Sequence, residues 1–394
     1  MKPNTLLALA VCLPLLGCPP EPPPVVQPPA PYPLPVPPEP EPTAKPTLPP
    51  EAVIHVGTLW QHICLLRRLG EVECWGKNSY GQLGLGHREP SQLPLVPGTG
   101  IELTAVATLL DAIAVAAGRD FSCALRNAGT VVCWGNNEDG QLGDGRGGEP
   151  AALSLSAVEV AGLQNVKQIS LGEYHGCALN GDGAVHCWGN GANGQIGSDA
   201  QRAFGTPQPI AELRAVREVA SGANHVCALE RQGTVKCWGR NTEGQMGDGQ
   251  RGSRTSPVVV SGIQKAVHIA SGHNHSCALL DSGGVRCWGD HKAQQLGPAG
   301  GSAPKHGTPV EVTGLGDVVQ LAGGALHTCA RLRSGRVSCW GANRAGQLGT
   351  QPSEEPSSEP TDVPELTQAA HVSLGLAHSC AALQSGQFYC WGAQ

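Results

Sequence analysis

The segment HTCARLRSGRVSCWGANRAGQLG, His327 to Gly349, decides the fold. It holds two cysteines ten residues apart, a Trp-Gly directly after the second, and a glycine-rich tail. The same arrangement recurs along the chain, with Trp-Gly at Trp75, Trp134, Trp188, Trp238, Trp288, Trp340 and Trp391, 50 to 59 residues apart. Each tryptophan is preceded by a cysteine, and each such cysteine has a partner ten positions earlier. The pairs are Cys64 with Cys74, Cys123 with Cys133, Cys177 with Cys187, Cys227 with Cys237, Cys277 with Cys287, Cys329 with Cys339 and Cys380 with Cys390.

The spacing has a structural meaning. A glycine sits six residues after every first cysteine, from Gly70 through Gly386. Three-residue hairpin loops often end in a residue at positive φ, which glycine adopts without steric cost. Folding about that loop sets the two cysteines at a non-hydrogen-bonded pair, where side chains approach most closely. Side chains alternate along a strand. Leu125 and Val131 therefore share the cysteine face, and Ala124 lies with Trp134 on the other. Both faces are apolar, as in a sheet packed between two others. Short apolar runs such as VREVASG precede the hairpins, and extended stretches such as TPVEV (308–312) precede those runs. Up to four strands per unit at this period point to an all-β, seven-bladed β-propeller over residues 51–394.

The strings GEYHGCALNGDGAVHCWGNGANGQIG (172–197) and SGANHVCALERQGTVKCWGRNTEGQMGDG (221–249) resemble the regulator-of-chromosome-condensation repeat family. The dipeptide is Trp-Gly, where WD repeats carry Trp-Asp, and the doubled glycine of kelch repeats does not recur. The resemblance covers all seven units and implies a seven-bladed ring. The family's best-known member exchanges guanine nucleotide on a small nuclear GTPase and contacts chromatin. Bacterial relatives include a secreted inhibitor that binds β-lactamases through the propeller rim. Two departures stand out: the seventh unit stops at Trp391-Gly392-Ala393-Gln394, and the first has no clear leading strand. Ring closure is therefore expected to use a piece near residues 44–56 or to be imperfect.

The N-terminus speaks to compartment. Lys2 is followed by an apolar run from Leu6 to Leu16, the length of a signal-peptide core and too short to span a bilayer. It ends in Leu15-Leu16-Gly17-Cys18, which resembles the lipobox of bacterial lipoproteins. Residues 1–17 are thus expected to be a cleaved signal, with Cys18 lipidated as the anchor. Residues 18–50 form the tether, with seventeen prolines among positions 19–50. Proline fixes φ and donates no hydrogen bond, so a disordered, extended spacer of at most about 100 Å is expected. Of sixteen cysteines, Cys12 leaves with the signal, Cys18 takes lipid, and fourteen pair within the repeats. That usage suits an oxidising compartment. Pro19 in place of Asp after Cys18 favours the outer membrane, with the domain periplasmic or surface-exposed.

Net charge is −6, with 26 basic and 32 acidic residues and no basic run, which argues against nucleic acid as partner. Histidine stands two before the first cysteine in six units: His62, His175, His225, His275, His327 and His378, with Phe121 in the second. A zinc site needs ligands that converge on one point, whereas equivalent hairpins lie around a ring. These histidines therefore read as scaffold, and no metal or cofactor is expected. No C-x-x-C, phosphate-cradling loop, EF-hand or catalytic triad stands out, so no catalytic residue is assigned.

Function is expected where the units differ, in the loops after each GQLG-type tail. Five carry basic residues: Arg88, Arg146, Arg202, Arg251 with Arg254, and Lys305. The sixth, TQPSEEPSSEPTDVPE (350–365), is acidic at Glu354, Glu355, Glu359 and Asp362. The leading expectation is non-enzymatic protein binding at the cell envelope through Arg88, Arg146, Arg202, Arg251 and Arg254. The alternatives are a hydrolase or lyase using the central channel, and a structural surface protein.

Overall fold

The computed structural model describes residues 53–91 and 106–393, apart from short breaks at 59, 107–108, 148, 150–151 and 199–202. Residues 1–50, including Cys18, lie outside the described residues, as does Arg202. The chain is all-β and forms a seven-bladed propeller.

Blade 4 shows how the sequence builds the unit. Its strands are Val216–Ser221, His225–Glu230, Val235–Gly239 and Arg254–Val259, antiparallel in that order from the axis outward. The second and third strands pair with Cys227 opposite Cys237. Their connection is the three-residue loop Arg231-Gln232-Gly233, with Gly233 at φ +89° and its amide donating to the Glu230 carbonyl. Glycine after the tryptophan has a separate cause. Gly239 lies at φ +101°, and a Cβ there would stand 2.6 Å from the Asn224 carbonyl oxygen. Any side chain at that position meets backbone, which accounts for Trp-Gly as the repeating dipeptide.

The two apolar faces pack between neighbours. Cys227, Leu229, Val235 and Cys237 meet Ala278 and Trp288 of blade 5. Ala228 and Trp238 meet Cys177, Leu179, Val185 and Cys187 of blade 3. The cysteine face of one blade thus covers the tryptophan face of the next all round the ring. Each disulfide and each indole sits in a core between blades.

The tail after Trp-Gly also crosses to the next blade. Leu83, Leu142, Ile196, Met246, Leu296 and Leu348 are fully buried there, and the glutamine before each accepts the next blade's indole N–H on its backbone carbonyl. These six bonds measure 2.8–2.9 Å. At the junction of blades 7 and 1 the Trp75 indole has no such acceptor among the described residues. A cavity of about 140 Å³ lies there, lined in part by Trp60, Ile63, Trp75, Leu376 and His378.

Three features differ from the sequence reading. Blade 1 does have a leading strand, Val53–Thr58, which pairs with His62–Arg67 and packs on blade 7. Thr58 bonds Ser373 through both its amide and its hydroxyl. The run VIHV before Gly57 holds only three apolar residues, broken by His55, so periodicity alone does not announce it. Second, the extended stretches before each apolar run belong to the preceding blade. Lys305–Val312, which contains TPVEV, pairs with Val285–Asp290 of blade 5. The structural unit is therefore shifted from the sequence unit by one strand. Third, the acidic segment is not a loop: Ser353–Asp362 is the outer strand of blade 6. Its Pro356 and Pro360 are tolerated because an outermost strand has one unpaired edge.

Candidate functional site

The recurring histidines fasten blades together. His62 Nε2 lies 2.8 Å from Ser122 Oγ of blade 2, and the same bond joins His225 to Ser276, His275 to Thr328 and His327 to Ser379. Ser122, Thr328 and Ser379 donate their own proton to the Gln82, Gln295 and Gln347 carbonyls, so the histidine Nε2–H is the donor to the hydroxyl. Two histidines face no hydroxyl. The residue opposite His175 is Val226, and the residue opposite His378 is Ile63; Nε2 of each is buried without a partner among the described residues. Burial pushes His62, His225, His275 and His327 down to about 3, and His175 and His378 down to about 4. They are neutral at physiological pH. Among the described residues no group of three or more potential ligands is placed to hold a metal ion.

All fourteen repeat cysteines are disulfide-bonded, each to its hairpin partner. Cys64 joins Cys74, Cys123 joins Cys133, Cys177 joins Cys187 and Cys227 joins Cys237. Cys277 joins Cys287, Cys329 joins Cys339 and Cys380 joins Cys390. The Cα atoms of each pair are 4.0–4.1 Å apart. That is the close approach of a non-hydrogen-bonded antiparallel pair. The cysteines are buried at 0–1% exposure except near the seam at Cys390, so none is presented as an open redox centre.

The rim arginines are dispersed and weakly held. Arg88 donates to the Ser79 carbonyl, Arg251 to the Thr242 carbonyl, and Arg146 stands 3.9 Å from Asp144 with its side chain 85% exposed. Arg254 is half-buried at the start of an outer strand, opposite Gly239. Lys305 is paired with Glu243. Arg251 and Lys305 share the Thr242 carbonyl, while Arg88 and Arg146 share no partner with them or with each other.

A second variable set does converge. The inner-to-second and third-to-outer connections emerge on the same face because the strands alternate in direction. The inner-to-second connection is the dipeptide before each of the six histidines and Phe121: Trp60-Gln61, Arg119-Asp120, Glu173-Tyr174, Ala223-Asn224, His273-Asn274, Ala325-Leu326 and Leu376-Ala377. Backbone bonds between blades draw these loops into a ring around the channel mouth, including Arg119 N–H to Glu173 O, Glu173 N–H to Ala223 O and Ala223 N–H to His273 O. Side chains then meet across the opening. The Arg119 guanidinium lies between the Trp60 ring at 4.6 Å and the Tyr174 ring at 5.3 Å. Its Nη1 donates to Glu173 Oε1 at 2.6 Å and to the Tyr174 hydroxyl. The other Glu173 oxygen is 3.6 Å from His273 Nε2, and the Trp60 ring meets His273 of blade 5 edge-on at 5.9 Å. Asp120 takes Lys77 at 3.0 Å and the Gln82 amide at 3.1 Å.

Electrostatics follow from this wiring. Burial pushes the Glu173 carboxyl up, but His273 and Arg119 outweigh it and hold it below the usual carboxylate range. Tyr174 is pushed up to about 12, first by burial and then by Glu173. The sequence carried one signal for this site: of eight tryptophans only Trp60 falls outside the Trp-Gly series.

Beneath the mouth the channel encloses about 300 Å³, lined by the inner strands of all seven blades. Its polar groups lace blade to blade. Gln168 bonds both the amide and the carbonyl of Val219, and Gln320 does the same to Val372. Glu218 accepts from His268 Nδ1 at 2.6 Å, and His268 Nε2 meets the Leu321 carbonyl. Burial lowers His268, yet the Glu218 hydrogen bond and charge leave it raised overall.

Comparison with known proteins agrees with this architecture. The RCC1-like domain model matches residues 33–302, and regulator of chromosome condensation (RCC1) repeat models match 318–347 and 334–382. The human probable E3 ubiquitin-protein ligases HERC3 and HERC6 are each 37% identical over 151 and 153 residues, 38% of this chain. The matched stretch spans only 14% of the length of those ligases. Among solved structures, Prp20p of Saccharomyces cerevisiae, described for its binding to Gsp1p and histones, has a TM-score of 0.69 at 22% identity. That match covers 86% of this chain and 82% of that one. Human WBSCR16 has a TM-score of 0.71 at 23% identity, covering 87% of each. At such identity the likeness speaks for the fold alone. With the family model running through more than half of its length and the repeat continuing to residue 382, the chain belongs to the RCC1-like domain family.

Proposed function

We propose that this propeller is a non-enzymatic protein-binding module of the bacterial cell envelope. A lipid on Cys18 anchors it, a proline-rich tether over 18–50 holds it off the outer membrane, and the loop face meets the partner. The observation that carries the binding reading is the meeting of Trp60, Arg119 and Tyr174 from three blades at the centre of that face. Trp, Tyr and Arg are the residues that dominate binding hot spots. Arg88, Arg146, Arg251 and Arg254 lie toward the outer rim, and Arg202, outside the described residues, is grouped with them on its sequence position; at a rim, charge steers association more than it sets affinity. Prp20p, with the same fold, is described for its binding to Gsp1p and histones, which supports a protein-binding reading here. Net charge of −6 and mixed charges on the face disfavour nucleic acid.

The mouth does bring polar groups from several blades together, as a channel enzyme would require. Their chemistry disfavours catalysis. Glu173 is held ionised by Arg119 and by its hydrogen bond with His273, away from the near-neutral pKa that suits a general base, and among the described residues no nucleophile stands beside His273. Crosslinking in cells tests the reading. Wild type is compared with a variant in which Arg88, Arg146, Arg202, Arg251 and Arg254 are changed to Glu. A partner captured by wild type and lost in the variant supports it; identical capture with both refutes the rim. Cys18→Ser should release the protein from membranes into the soluble fraction.

A further inference from the structure

We infer that the Trp60–Arg119–Tyr174 stack is the anchoring site of this face and that it takes a single carboxylate borne on a protruding loop of the partner protein. The inference rests on the binding reading above and sharpens it to one partner chemistry.

Direction of charge is the first argument. The acids of the cluster are buried beneath it: side-chain exposure is 9% for Asp120 and 8% for Glu173. Lys77 and Arg119 lie outside them, each 37% exposed. Lys77 and Gln82 both bond Asp120 Oδ1, Asp120 Oδ2 faces Arg119 Nε at 3.6 Å, and Arg119 and His273 take the two oxygens of Glu173. Arg119 spends Nη1 on Glu173 and Tyr174, while Nη2 has no partner among the described residues. Two rings and two ion pairs, Nη1 with Glu173 and Nε with Asp120, fix the guanidinium before any ligand arrives. The Nη2 edge left open offers a fixed, charge-assisted donor suited to one carboxylate.

The balance of charge limits the ligand. Lys77 and Arg119 are matched by Asp120 and Glu173, so these four charges cancel. A dianionic phosphate would meet two nearby carboxylates without enough cations to compensate; a monoanion needs only the free edge of Arg119. Shape limits it too. Side chains from blades 1, 2, 3 and 5 cross the mouth, so a ligand rests on the cap instead of entering the channel. The rest of the ring, around Ala223, Leu326 and Leu376, is apolar or small, and Leu326 is 42% exposed. A convex loop with an acidic residue beside an apolar one fits both halves.

The test uses the full oxidised chain and a displayed library of short disulfide-closed peptide loops. Loops are selected on the intact protein, and the strongest are measured by titration calorimetry against wild type, Arg119→Gln, Arg119→Lys and Trp60→Ala. Thermal melts confirm that each variant is folded, and Trp60→Ala leaves the Arg119–Glu173 ion pair in place. The expected result is an Asp or Glu at one shared position of the loops. Its amide replacement and Arg119→Gln should each weaken binding about tenfold or more, with no further loss when combined. Trp60→Ala should weaken it as well, and Arg119→Lys should not restore it. Bound loop should shield Trp60, the tryptophan outside the buried series, from acrylamide quenching. Loops without a shared acid, or loops indifferent to Arg119→Gln, overturn the inference. If they depend on Arg88, Arg146 or Arg251 instead, the anchor fails while the binding face stands. If no loop binds this face, both fail.

Discussion

At the scale of single residues, the histidine–hydroxyl bonds make a testable pair. Ser276→Ala leaves buried His225 Nε2 without its partner, at a cost of about 1–3 kcal/mol in denaturant unfolding. The reverse change is available at the blade 3–4 junction. Val226→Thr is close to isosteric and places a hydroxyl opposite orphaned His175, with the Gln195 carbonyl nearby to take its proton. A gain of about 1 kcal/mol is expected, read as a higher denaturation midpoint. A loss would mean that the histidine ring does not seek a hydroxyl there. The repeat made these histidines legible as scaffold. What they bond to was not legible, because the partner lies about fifty residues away on the next blade.

At the scale of the hairpin, each disulfide closes a loop of ten residues. Replacing Cys227 and Cys237 by alanine together should lower stability by about 2–3 kcal/mol, less if the reduced hairpin keeps its shape. Gly239→Ala should cost at least as much as an ordinary strained glycine replacement, since the new methyl meets the Asn224 carbonyl. Urea titration of both variants checks these values. The hairpins were legible in full because loop length, glycine position and face alternation all lie within a few residues of each other. The outer strands were legible only as extended stretches. Their assignment to the preceding blade, and the strand made by the acidic 353–362 segment, depend on pairing across a long connection.

At the scale of the whole molecule, six histidines are buried and neutral at the junctions. Unfolding exposes them to water, where they titrate near 6.5, while in the folded ring they titrate near 3 to 4. The unfolded chain therefore binds more protons between those values. Stability is full above about pH 6.5 and falls as pH drops, by about 1.4 kcal/mol per pH unit for each histidine, until the folded groups protonate. Melting curves from pH 7 to pH 4 should show a steep decline, and replacing His225 by Phe, as Phe121 stands in blade 2, should flatten it. The ring itself was legible from seven repeats. The mouth was not, because Trp60, Arg119, Glu173 and His273 are strangers in sequence that only closure brings together. A tryptophan outside the series was the one visible trace.

The pairing of cysteines has a consequence for how the molecule matures. Every bond joins a cysteine to the next one along the chain. An oxidant that links thiols in the order they emerge from a translocation pore would produce the native set at first attempt, with no reshuffling step. Oxidative refolding should therefore proceed without help from an isomerase, and trapped intermediates should differ in the number of bonds formed, with few mispaired species.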